Sequence, residues 1–316
     1  MHWNKLGLIY NATGQHGFDL THCHKPTPLL VDDHTLRVYF GTRDERNRTR
    51  TTFIDLDPND LRSVRYIHDR PVIDLGKIGA FDDSGANVCS IVRNGNVILM
   101  YYIGVNTSTT VHMRNAVGIA ISEDGGFSFR RLFDGPVLDR TRTEPYYVGA
   151  AEVIREGDLW RCYYTCGNEW KLIDGKPEID YQIKYATSAD GIEWRRDNLQ
   201  VIQPENSFEV CARPSVWRSK DLYHMLFSRR SMTGFRVEAS QGYRAGYASS
   251  TDGVIWHRHD DEVNLPPSAE GWDSEGIAYP YHFELFDREL LFYNGNQFGR
   301  TGFGIAERAD TEKPAS

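Results

Sequence analysis

The chain has 316 residues and a formal net charge of −8, and 25% of its residues are charged. An acidic chain without a basic stripe does not suit nucleic acid or an anionic membrane surface, since a phosphate backbone attracts clustered Lys and Arg side chains. The longest apolar run, 97–105, is too short to cross a bilayer, and residues 1–5 lack the apolar core of a secretory signal. We therefore expect a cytoplasmic protein that binds no nucleic acid and has no membrane span.

The five cysteines are an odd number, and no two of them show the spacing of a disulfide framework. An intracellular chain keeps such thiols reduced. The sequence therefore predicts free cysteines. We also expect no cofactor.

The predicted strands begin with a short apolar segment, 6–10, and continue with an aromatic-rich run that occurs five times. Runs of this kind, bounded by Gly, Asp and Asn, are typical of β-strands. They begin at Leu36, Val97, Leu159, Leu222 and Leu290, at intervals of 61, 62, 63 and 68 residues. A fixed period of this length indicates a repeat architecture.

A second repeated segment has the pattern Ser-x-Asp-Gly-x-x-Trp and occurs at 188–194 and again 62 residues later at 250–256. Segment 122–129 is a variant with one inserted residue. Each copy follows an alternating apolar run, and Asp-Gly between two such runs is typical of a hairpin because Gly accepts a positive φ. The segment therefore predicts the turn between two outer strands of a unit.

These units predict an all-β fold, a five-bladed β-propeller with four antiparallel strands per blade and a ring closed by the N- and C-terminal strands. No 12-residue window has a convincing helical period. The alternative is a pair of β-sandwiches, and the equal spacing of matched units argues against it. We expect a single domain, 1–316, with blades at 20–60, 80–135, 143–200, 208–262 and 272–308, the last completed by 6–10.

Polar residues precede the aromatic-rich strand of every unit, and they differ from unit to unit. In a propeller the innermost strand of each blade lines the central channel, so these residues would meet at one end of it. They lie at 22–26, 81–85, 143–147 with Glu152, 209–214 and 272–276, and the ends of the second strands add 42–44, Asn106, 168–170, 228–230 and 294–296.

Carboxylates, guanidinium groups, imidazoles and amides that converge on one cavity suit a carbohydrate or another sugar-containing small molecule. Carboxylates on opposite walls would allow general acid–base attack on a glycosidic bond. We predict Asp83 and Glu275 as leading catalytic residues, with Glu152 or Glu144 as a third candidate, and we expect Asp83, Glu275, Arg213, Arg43 and His24 to converge on one end of the channel. The predicted substrate-binding residues are His24, Lys25, Arg43, Asp44, Asp82, Glu169, Arg213, Arg229, Arg230, Asn294 and Asn296.

The repeated hairpins, the five units and the acids at the starts of the blades resemble the five-bladed propeller glycosidases, which include arabinanase/xylosidase-like, invertase-like and mannoside-phosphorylase-like families. Segments 37–44, 79–85 and 293–296 resemble propeller proteins encoded in bacterial surface-polysaccharide loci. The resemblance covers nearly the whole chain. It implies a hydrolase or transglycosidase that acts in surface-polysaccharide metabolism.

The chain departs from that resemblance in its first blade. The glycosidases usually carry a catalytic Asp there, a helper Asp in the second blade and an acid Glu in the third. Here the first position holds His22, His24 and Lys25 instead of a carboxylate. Asp82 or Asp83 matches the second acid, Glu144 or Glu152 matches the third, and Arg213 matches a basic residue of the fourth blade; Glu275 or Asp44 could replace the missing acid.

Three alternatives remain open. A non-catalytic propeller that binds a glycan or a sugar metabolite fits the missing acid. A phosphate-dependent glycoside phosphorylase fits if Lys25 and the nearby arginines hold phosphate. His22 and His24 could form a metal pair with Asp82 or Asp83, but two histidines are too few, and we predict no metal site. The sugar, the linkage, retention or inversion, and the oligomeric state stay open.

Overall fold

The computed structural model of the protein describes residues 1–309, which are almost entirely β-strand. The strands of the first half are β1 (Trp3–Tyr10), β2 (Thr21–Asp32), β3 (Thr35–Arg43), β4 (Thr49–Asp57), β5 (Asp60–Ile67), β6 (Gly85–Asn94), β7 (Val97–Asn106), β8 (Arg114–Ser122), β9 (Arg130–Arg131) and β10 (Tyr147–Glu156). Those of the second half are β11 (Leu159–Ile173), β12 (Lys176–Ser188), β13 (Arg195–Gln200), β14 (Glu209–Ser219), β15 (Leu222–Ser231), β16 (Arg244–Ser250), β17 (His257–Arg258), β18 (Ala278–Leu285), β19 (Arg288–Asn294) and β20 (Phe303–Arg308).

In the described residues, 1–309, helical structure is limited to single turns. These are the 3₁₀ turns Ala239–Gln241 and Asp260–Glu262 and the turn α1 (Asn296–Gly299), in which Gln297 and Phe298 have positive φ. Within residues 1–309 no helix is long and apolar enough to cross a membrane. The sequence shows no helical period, and the described structure is accordingly built from β-strands.

The strands form four-stranded antiparallel units. Strands β10–β13 and β14–β17 are separate sheets, as are β18, β19, β20 and β1 together. Strands β2–β5 and β6–β9 are joined into one larger sheet by a parallel pairing of Thr49 with Gly85. The predicted pairing of 6–10 with the C-terminal strands is confirmed, because Gly7 lies opposite Ile305 on β20.

The first strands of consecutive units contact one another in the order β2, β6, β10, β14, β18, and β18 also contacts β2. Large apolar clusters lie between neighbouring units. In one of them, Cys89 and Tyr101 of the second unit pack with Val148 and Trp160 of the third. All five cysteines are buried free thiols, as the sequence predicts.

The Asp-Gly segments connect the third and fourth strands of their units, β8 to β9, β12 to β13 and β16 to β17. The predicted turns on the outer strands are therefore confirmed. Each turn is held by its Asp rather than by a two-residue hairpin: an Asp190 carboxylate oxygen accepts from the backbone N–H groups of Ile192 and Glu193, at 2.8 and 2.9 Å. The Ser188 hydroxyl oxygen accepts from the Gly191 N–H at 2.9 Å.

The same three turns attach the second, third and fourth units to the preceding one. The Tyr101 hydroxyl donates to the Gly191 carbonyl at 2.8 Å, and the Trp194 ring meets the Tyr101 ring edge-on. Gly191 has φ +76°, and a Cβ there would lie 2.7 Å from the Tyr101 hydroxyl oxygen, so this position requires glycine. The equivalent contacts are Tyr39 to Gly126 and Tyr163 to Gly253.

Candidate functional site

The first strands carry a bulge that turns one residue out of the regular β conformation. Lys25 (φ +52°), Arg213 (φ +54°) and Tyr279 (φ +54°) occupy this position in β2, β14 and β18, and each precedes a proline. Ala150 (φ +44°) is the equivalent residue of β10. All four line one cavity at the end of the molecule where the first strands begin.

Polar side chains of the adjacent unit hold these bulges in place. The Lys25 N–H donates to Asn294 Oδ1 at 2.7 Å, and the Tyr279 N–H donates to the Ser228 hydroxyl at 2.8 Å. The Arg213 N–H donates to the Thr165 hydroxyl at 3.2 Å. The left-handed backbone at these non-glycine residues is therefore supported by bonds that cross between units.

The cavity has a volume of about 210 Å³ and is lined mainly by cations and aromatic rings. An adjoining depression of about 460 Å³ shares part of this lining and adds His22, Glu275 and Arg300. The cationic and aromatic residues of the cavity are Lys25, Arg43, Arg213, Arg230, Arg236, Tyr147, Tyr181, Tyr243, Tyr279, Phe235 and Phe298.

Lys25 is the lysine of this lining, and its amine is unpaired. Its Nζ lies 4.7 Å from the centre of the Tyr279 ring and has no hydrogen-bond or ion-pair partner among residues 1–309. Burial, together with the nearby charges of Arg213 and Arg43, lowers the pKa of Lys25 to about 7. An appreciable fraction of this lysine is therefore neutral at physiological pH.

Arg43 faces the cavity without a carboxylate partner in the described part of the chain. Its Nε donates to His24 Nε2 at 3.2 Å, and its Nη1 donates to Asn47 Oδ1 at 3.0 Å. Burial and Arg43 hold the pKa of His24 well below its usual range, and the same two causes lower the pKa of His22 to about 3. Both imidazoles are neutral, and their rings stack 4.8 Å apart.

Arg213 is fully buried and joins the cavity to a deeper polar group. Its Nη2 donates to the Thr27 hydroxyl at 3.1 Å, and its Nη1 lies 3.6 Å from Glu152 Oε2. Burial raises the pKa of Glu152 to about 8, although Arg213 opposes the shift. Glu152 is 4% exposed and lines neither the cavity nor the depression, so it lies behind Arg213.

Arg230 and Arg229 are neighbours with opposite environments. Arg230 lines the cavity, where its Nη2 donates to the Tyr181 hydroxyl at 2.9 Å and its guanidinium lies 3.6 Å from the centre of the Phe235 ring. Arg229 points away from it, 3.1 Å from Asp260 and 3.5 Å from Glu209. Arg230 therefore has no carboxylate partner within residues 1–309, whereas Arg229 is neutralised.

Three of the acids at the starts of the units form a repeated clamp. The Glu144 carboxylate accepts from the Tyr164 hydroxyl at 2.7 Å and from Arg196 Nη1 at 2.9 Å. Tyr164 lies on the second strand of its unit, twenty residues after the acid, and Arg196 lies on the outermost strand. The same arrangement joins Asp82 to Tyr102 and Arg131, and Asp273 to Tyr293 and Lys5.

The clamp explains why acids occur at matching positions of these units. It ties the start of each first strand to the second and the outermost strand. The spacing of twenty residues between acid and tyrosine is visible in the sequence, and it is the signal that could have separated these acids from the binding residues. Asp82 and Glu144 are 0% and 1% exposed and line neither the cavity nor the depression.

Asp83 and Asp44 hold turns. Asp83 accepts from the Gly79 N–H at 3.0 Å and the Asn106 side-chain amide at 3.0 Å. Asp44 accepts from the Arg48 guanidinium at 2.8 Å. Neither lines the cavity or the depression. Of the five side chains expected to converge, His24, Arg43 and Arg213 thus share the cavity and Glu275 lines the adjoining depression, but Asp83 joins neither.

The remaining predicted residues lie around this site in supporting positions. Asn294 Nδ2 donates to the Cys23 carbonyl, and Asn296 Oδ1 accepts from the Glu275 N–H at 2.8 Å. Glu169 is exposed beside Lys171. Glu275 is exposed, and its carboxylate has no hydrogen-bond or ion-pair partner within the described chain.

Sequence reasoning missed the aromatic half of the site. Tyr181, Phe235, Arg236, Tyr243 and Phe298 come from β12 and from the long connections that follow β15 and β19. These connections do not repeat between units, so the period carries no information about them. The residue–proline pairs at Lys25, Arg213 and Tyr279, at matching places in their units, were the available signal.

The arrangement suits an anion more than it suits two-carboxylate chemistry. Among the described residues, Glu178 is the carboxylate that lines the cavity, and it accepts from Arg236 at 2.6 Å. Lys25, Arg43 and Arg230 have no such counter-charge. Residues 1–309 contain no group of three or more His, Cys, Asp and Glu side chains that could hold a metal ion.

Solved structures of similar fold include glycoside hydrolases. One glycoside hydrolase superimposes with a TM-score of 0.74 at 16% identity, over 99% of this chain and 94% of its own. A thermostable family-43 glycoside hydrolase gives 0.65 at 15% identity, over 97% and 98%. Sucrose-6-phosphate hydrolase from Lactobacillus gasseri gives 0.66 at 10% identity, over 95% of this chain and 59% of its own. The protein therefore has the fold of glycoside hydrolase-like propellers.

Relatives in sequence come from Mycobacterium tuberculosis, while no protein-family model matches the chain. They are the uncharacterized protein MT1551 of strain CDC 1551 / Oshkosh and the uncharacterized protein Rv1502 of strain ATCC 25618 / H37Rv. Each is 32% identical over 307 residues, which is 97% of this chain and 99% of the relative. An identity of this size over almost the full length means that the chain belongs to the same protein family as MT1551 and Rv1502.

Proposed function

We propose that this protein binds an anionic carbohydrate, such as a sugar phosphate or a uronic acid, in the cavity lined by Lys25, Arg43, Arg213 and Arg230. The observation that carries the proposal is the lack of a carboxylate partner for Lys25, Arg43 and Arg230 within residues 1–309. A buried cation without a counter-charge is costly, and a bound phosphate or carboxylate would offset that cost with charge-assisted hydrogen bonds.

The aromatic lining supports a sugar as the body of the ligand. Tyr181, Tyr243 and Tyr279 offer apolar ring faces and hydroxyl groups together, which suits the mixed CH and OH surface of a sugar ring. The cavity and the adjoining depression share Arg43 and Phe298, so a second sugar unit would continue from one into the other. The named activity of sucrose-6-phosphate hydrolase indicates that a propeller of this fold can accept a sugar phosphate.

We infer that the five four-stranded units are the blades of one closed propeller, with the boundaries predicted from the sequence except that β5 extends the first blade from 60 to Ile67. The contact of β18 with β2 and the pairing of β1 with β20 support a ring closed by both ends of the chain. A closed ring would bring bulges from four of its first strands to one end of a central channel. The cytoplasmic location and a role in surface-polysaccharide metabolism remain part of this proposal, since sugar phosphates are intracellular metabolites.

Hydrolysis by a carboxylate pair is less well supported. Such enzymes hold two carboxyl groups about 5–9.5 Å apart on opposite sides of the glycosidic bond. Glu144 is held by a clamp, Asp83 holds a turn and Glu152 lies behind Arg213, which leaves Glu275 as the one predicted catalytic acid that lines the depression. We therefore do not retain Asp83 and Glu144 as catalytic candidates.

A phosphate-dependent glycoside phosphorylase is the second candidate. Phosphate would act as the nucleophile in such an enzyme, so a single protein carboxyl group suffices to protonate the leaving oxygen. The observation that favours it is Glu275, whose unpaired carboxylate lines the same depression as Arg43 and Arg300.

Titration calorimetry tests the proposal directly. The wild-type protein is titrated with glucose, glucose 6-phosphate, glucuronate and inorganic phosphate, and we expect binding of the charged ligands only. Arg43→Gln should weaken that binding by about 10–100-fold, because a charge-assisted hydrogen bond contributes about 1.5–3 kcal/mol. Arg130→Gln is the matched control, since Arg130 is exposed on β9 outside the cavity. Equal affinity for neutral and charged sugars would contradict the proposal.

Turnover separates the two candidates. The same ligands and a panel of aryl glycosides and oligosaccharides are incubated with and without phosphate. Cleavage that requires phosphate and is lost in Glu275→Gln would establish the phosphorylase. Binding without any turnover would favour the non-catalytic function.

A further inference from the structure

The amine of Lys25 stands apart from the other cations of the cavity. The guanidinium groups of Arg43, Arg213 and Arg230 each donate at least one hydrogen bond to the protein, whereas Lys25 Nζ donates none within residues 1–309. The backbone of Lys25 is fixed by the bond from its N–H to Asn294. The side chain is therefore anchored at its base and free at its reactive end.

The surroundings of this amine favour its neutral form. The charges of Arg213 and Arg43 act on the amine, the Tyr279 ring lies 4.7 Å from Nζ, and the residue is partly buried. A lysine beside other cations is the arrangement that activates an amine as a nucleophile, since the ammonium form is disfavoured. At a pKa of about 7, Lys25 presents a free electron pair at neutral pH.

We propose that Lys25 forms a reversible imine with the carbonyl carbon of an open-chain anionic sugar or keto acid bound in the cavity. The inference rests on the proposed function, because the arginines would hold the anionic group and so bring the carbonyl to the amine. The Nζ electron pair adds to the carbonyl carbon, and the C–O π electrons move to oxygen. The two protons of the amine nitrogen move to that oxygen, one as the carbinolamine forms and one as it dehydrates, so the oxygen leaves as one water molecule and a neutral C=N bond remains.

An anionic ligand alone would not require a lysine at this position. Arginine is the better residue for planar recognition of phosphate or carboxylate. The other cavity cations without a carboxylate partner, Arg43 and Arg230, are arginines. The one unpaired amine among several guanidinium groups therefore points to a step that a guanidinium group cannot perform. Formation of a carbon–nitrogen double bond is such a step.

Reductive trapping on the wild-type protein tests this proposal. The probe is pyridoxal 5′-phosphate, which carries an aldehyde and a phosphate, and sodium borohydride reduces any imine to a stable amine. Peptide mapping by mass spectrometry then locates the label. We expect Lys25 to be labelled at least about tenfold faster than Lys77, whose side chain is 83% exposed, because the lowered pKa of Lys25 leaves much of its amine neutral at pH 7.5.

Two variants and a competitor complete the experiment. Lys25→Arg keeps the charge and should abolish the fast label, while Lys77→Gln should leave the labelling of Lys25 unchanged. Inorganic phosphate should slow the labelling of Lys25 by occupying the anion site. The map on wild-type protein is decisive even if Lys25→Arg does not fold.

The possible results separate the two proposals. Phosphate binding by calorimetry, with Lys25 labelled no faster than Lys77, would overturn the imine and leave the anion site standing. In the opposite case, Lys25 is labelled fast, phosphate does not slow the labelling, and calorimetry detects no anion binding. That result would overturn the anion site, and with it the proposal that the arginines bring the carbonyl to the amine.

Discussion

Replacement of Glu144 by alanine distinguishes a structural acid from a catalytic one. The residue is 1% exposed, and its carboxylate faces Tyr164 at 2.7 Å, Arg196 at 2.9 Å and Lys184 at 3.6 Å. Truncation would leave two cations and a buried hydroxyl group without their common anion. Removing one partner of a buried ion pair costs about 3–5 kcal/mol, since the charge that remains is uncompensated.

The expected loss is large enough to measure by thermal unfolding. For a chain of 316 residues the entropy of unfolding is on the order of 0.7 kcal/mol per kelvin, so Glu144→Ala should lower Tm by about 4–8 °C. Circular dichroism at a strand wavelength follows the transition. Glu123→Ala is the control, because that carboxylate is 64% exposed and lies 3.6 Å from Arg130, and its removal should change stability by less than about 0.5 kcal/mol.

Ligand binding completes this test. At a temperature well below its Tm, Glu144→Ala should bind the anionic ligand as the wild-type protein does, because Glu144 lines neither the cavity nor the depression. A variant with wild-type Tm that had lost binding or turnover would refute the reasoning and return Glu144 to the active site.

Three further predictions concern single positions. Gly191→Ala should destabilise the protein by about 1–3 kcal/mol, because the new Cβ would lie 2.7 Å from the Tyr101 hydroxyl oxygen. Gly157 also has a positive φ but has open space around it, so Gly157→Ala should destabilise the protein less. Equal losses of stability in melting experiments would contradict this. Lys25→Met should raise Tm at pH 7. The pKa of Lys25 falls from 10.5 in the unfolded chain to about 7 in the folded protein, so the stability of the wild type should rise with pH between these values. The stability of Lys25→Met should not show this rise. Glu152, whose pKa rises from 4.5 to about 8 on folding, should make stability fall as pH rises through that window, and parallel pH profiles of Glu152→Gln and wild type would rule this out.

The architecture could be predicted from the sequence because the signals for it are local and repeated. An aromatic-rich run and an Asp-Gly turn each specify their own few residues, and the period then assembles them into units. The turn chemistry was incomplete: the Asp190 carboxylate holds the turn, and Gly191 is needed for the close approach of Tyr101. The contact of Tyr101 with Gly191 joins neighbouring units and links residues about ninety positions apart, so a local sequence pattern does not contain it.

The site could be predicted only in part, because alignment of the units gives the position of a residue along a strand but not the direction of its side chain. Asp82 and Asp83 are adjacent, yet one is clamped by Arg131 and the other holds a turn. His24, Arg43 and Arg213 line the cavity, since each lies where a first or second strand meets it. The aromatic walls come from connections that occur once each, and their approach to the cavity depends on the whole assembly.

The charged residues of this repeat protein fall into two classes that the structure separates physically. Acids that recur at matching positions, such as Glu144 and Asp273, are paired with a cation on the outermost strand, so they stabilise their own units in the same way. Cations that occur once, such as Lys25 and Arg213, sit on left-handed backbone that costs about 1–2 kcal/mol per residue. A unit that served stability alone would not retain that strain at the cavity, so the strained residues that line it, rather than the repeated acids, support the ligand site that we propose.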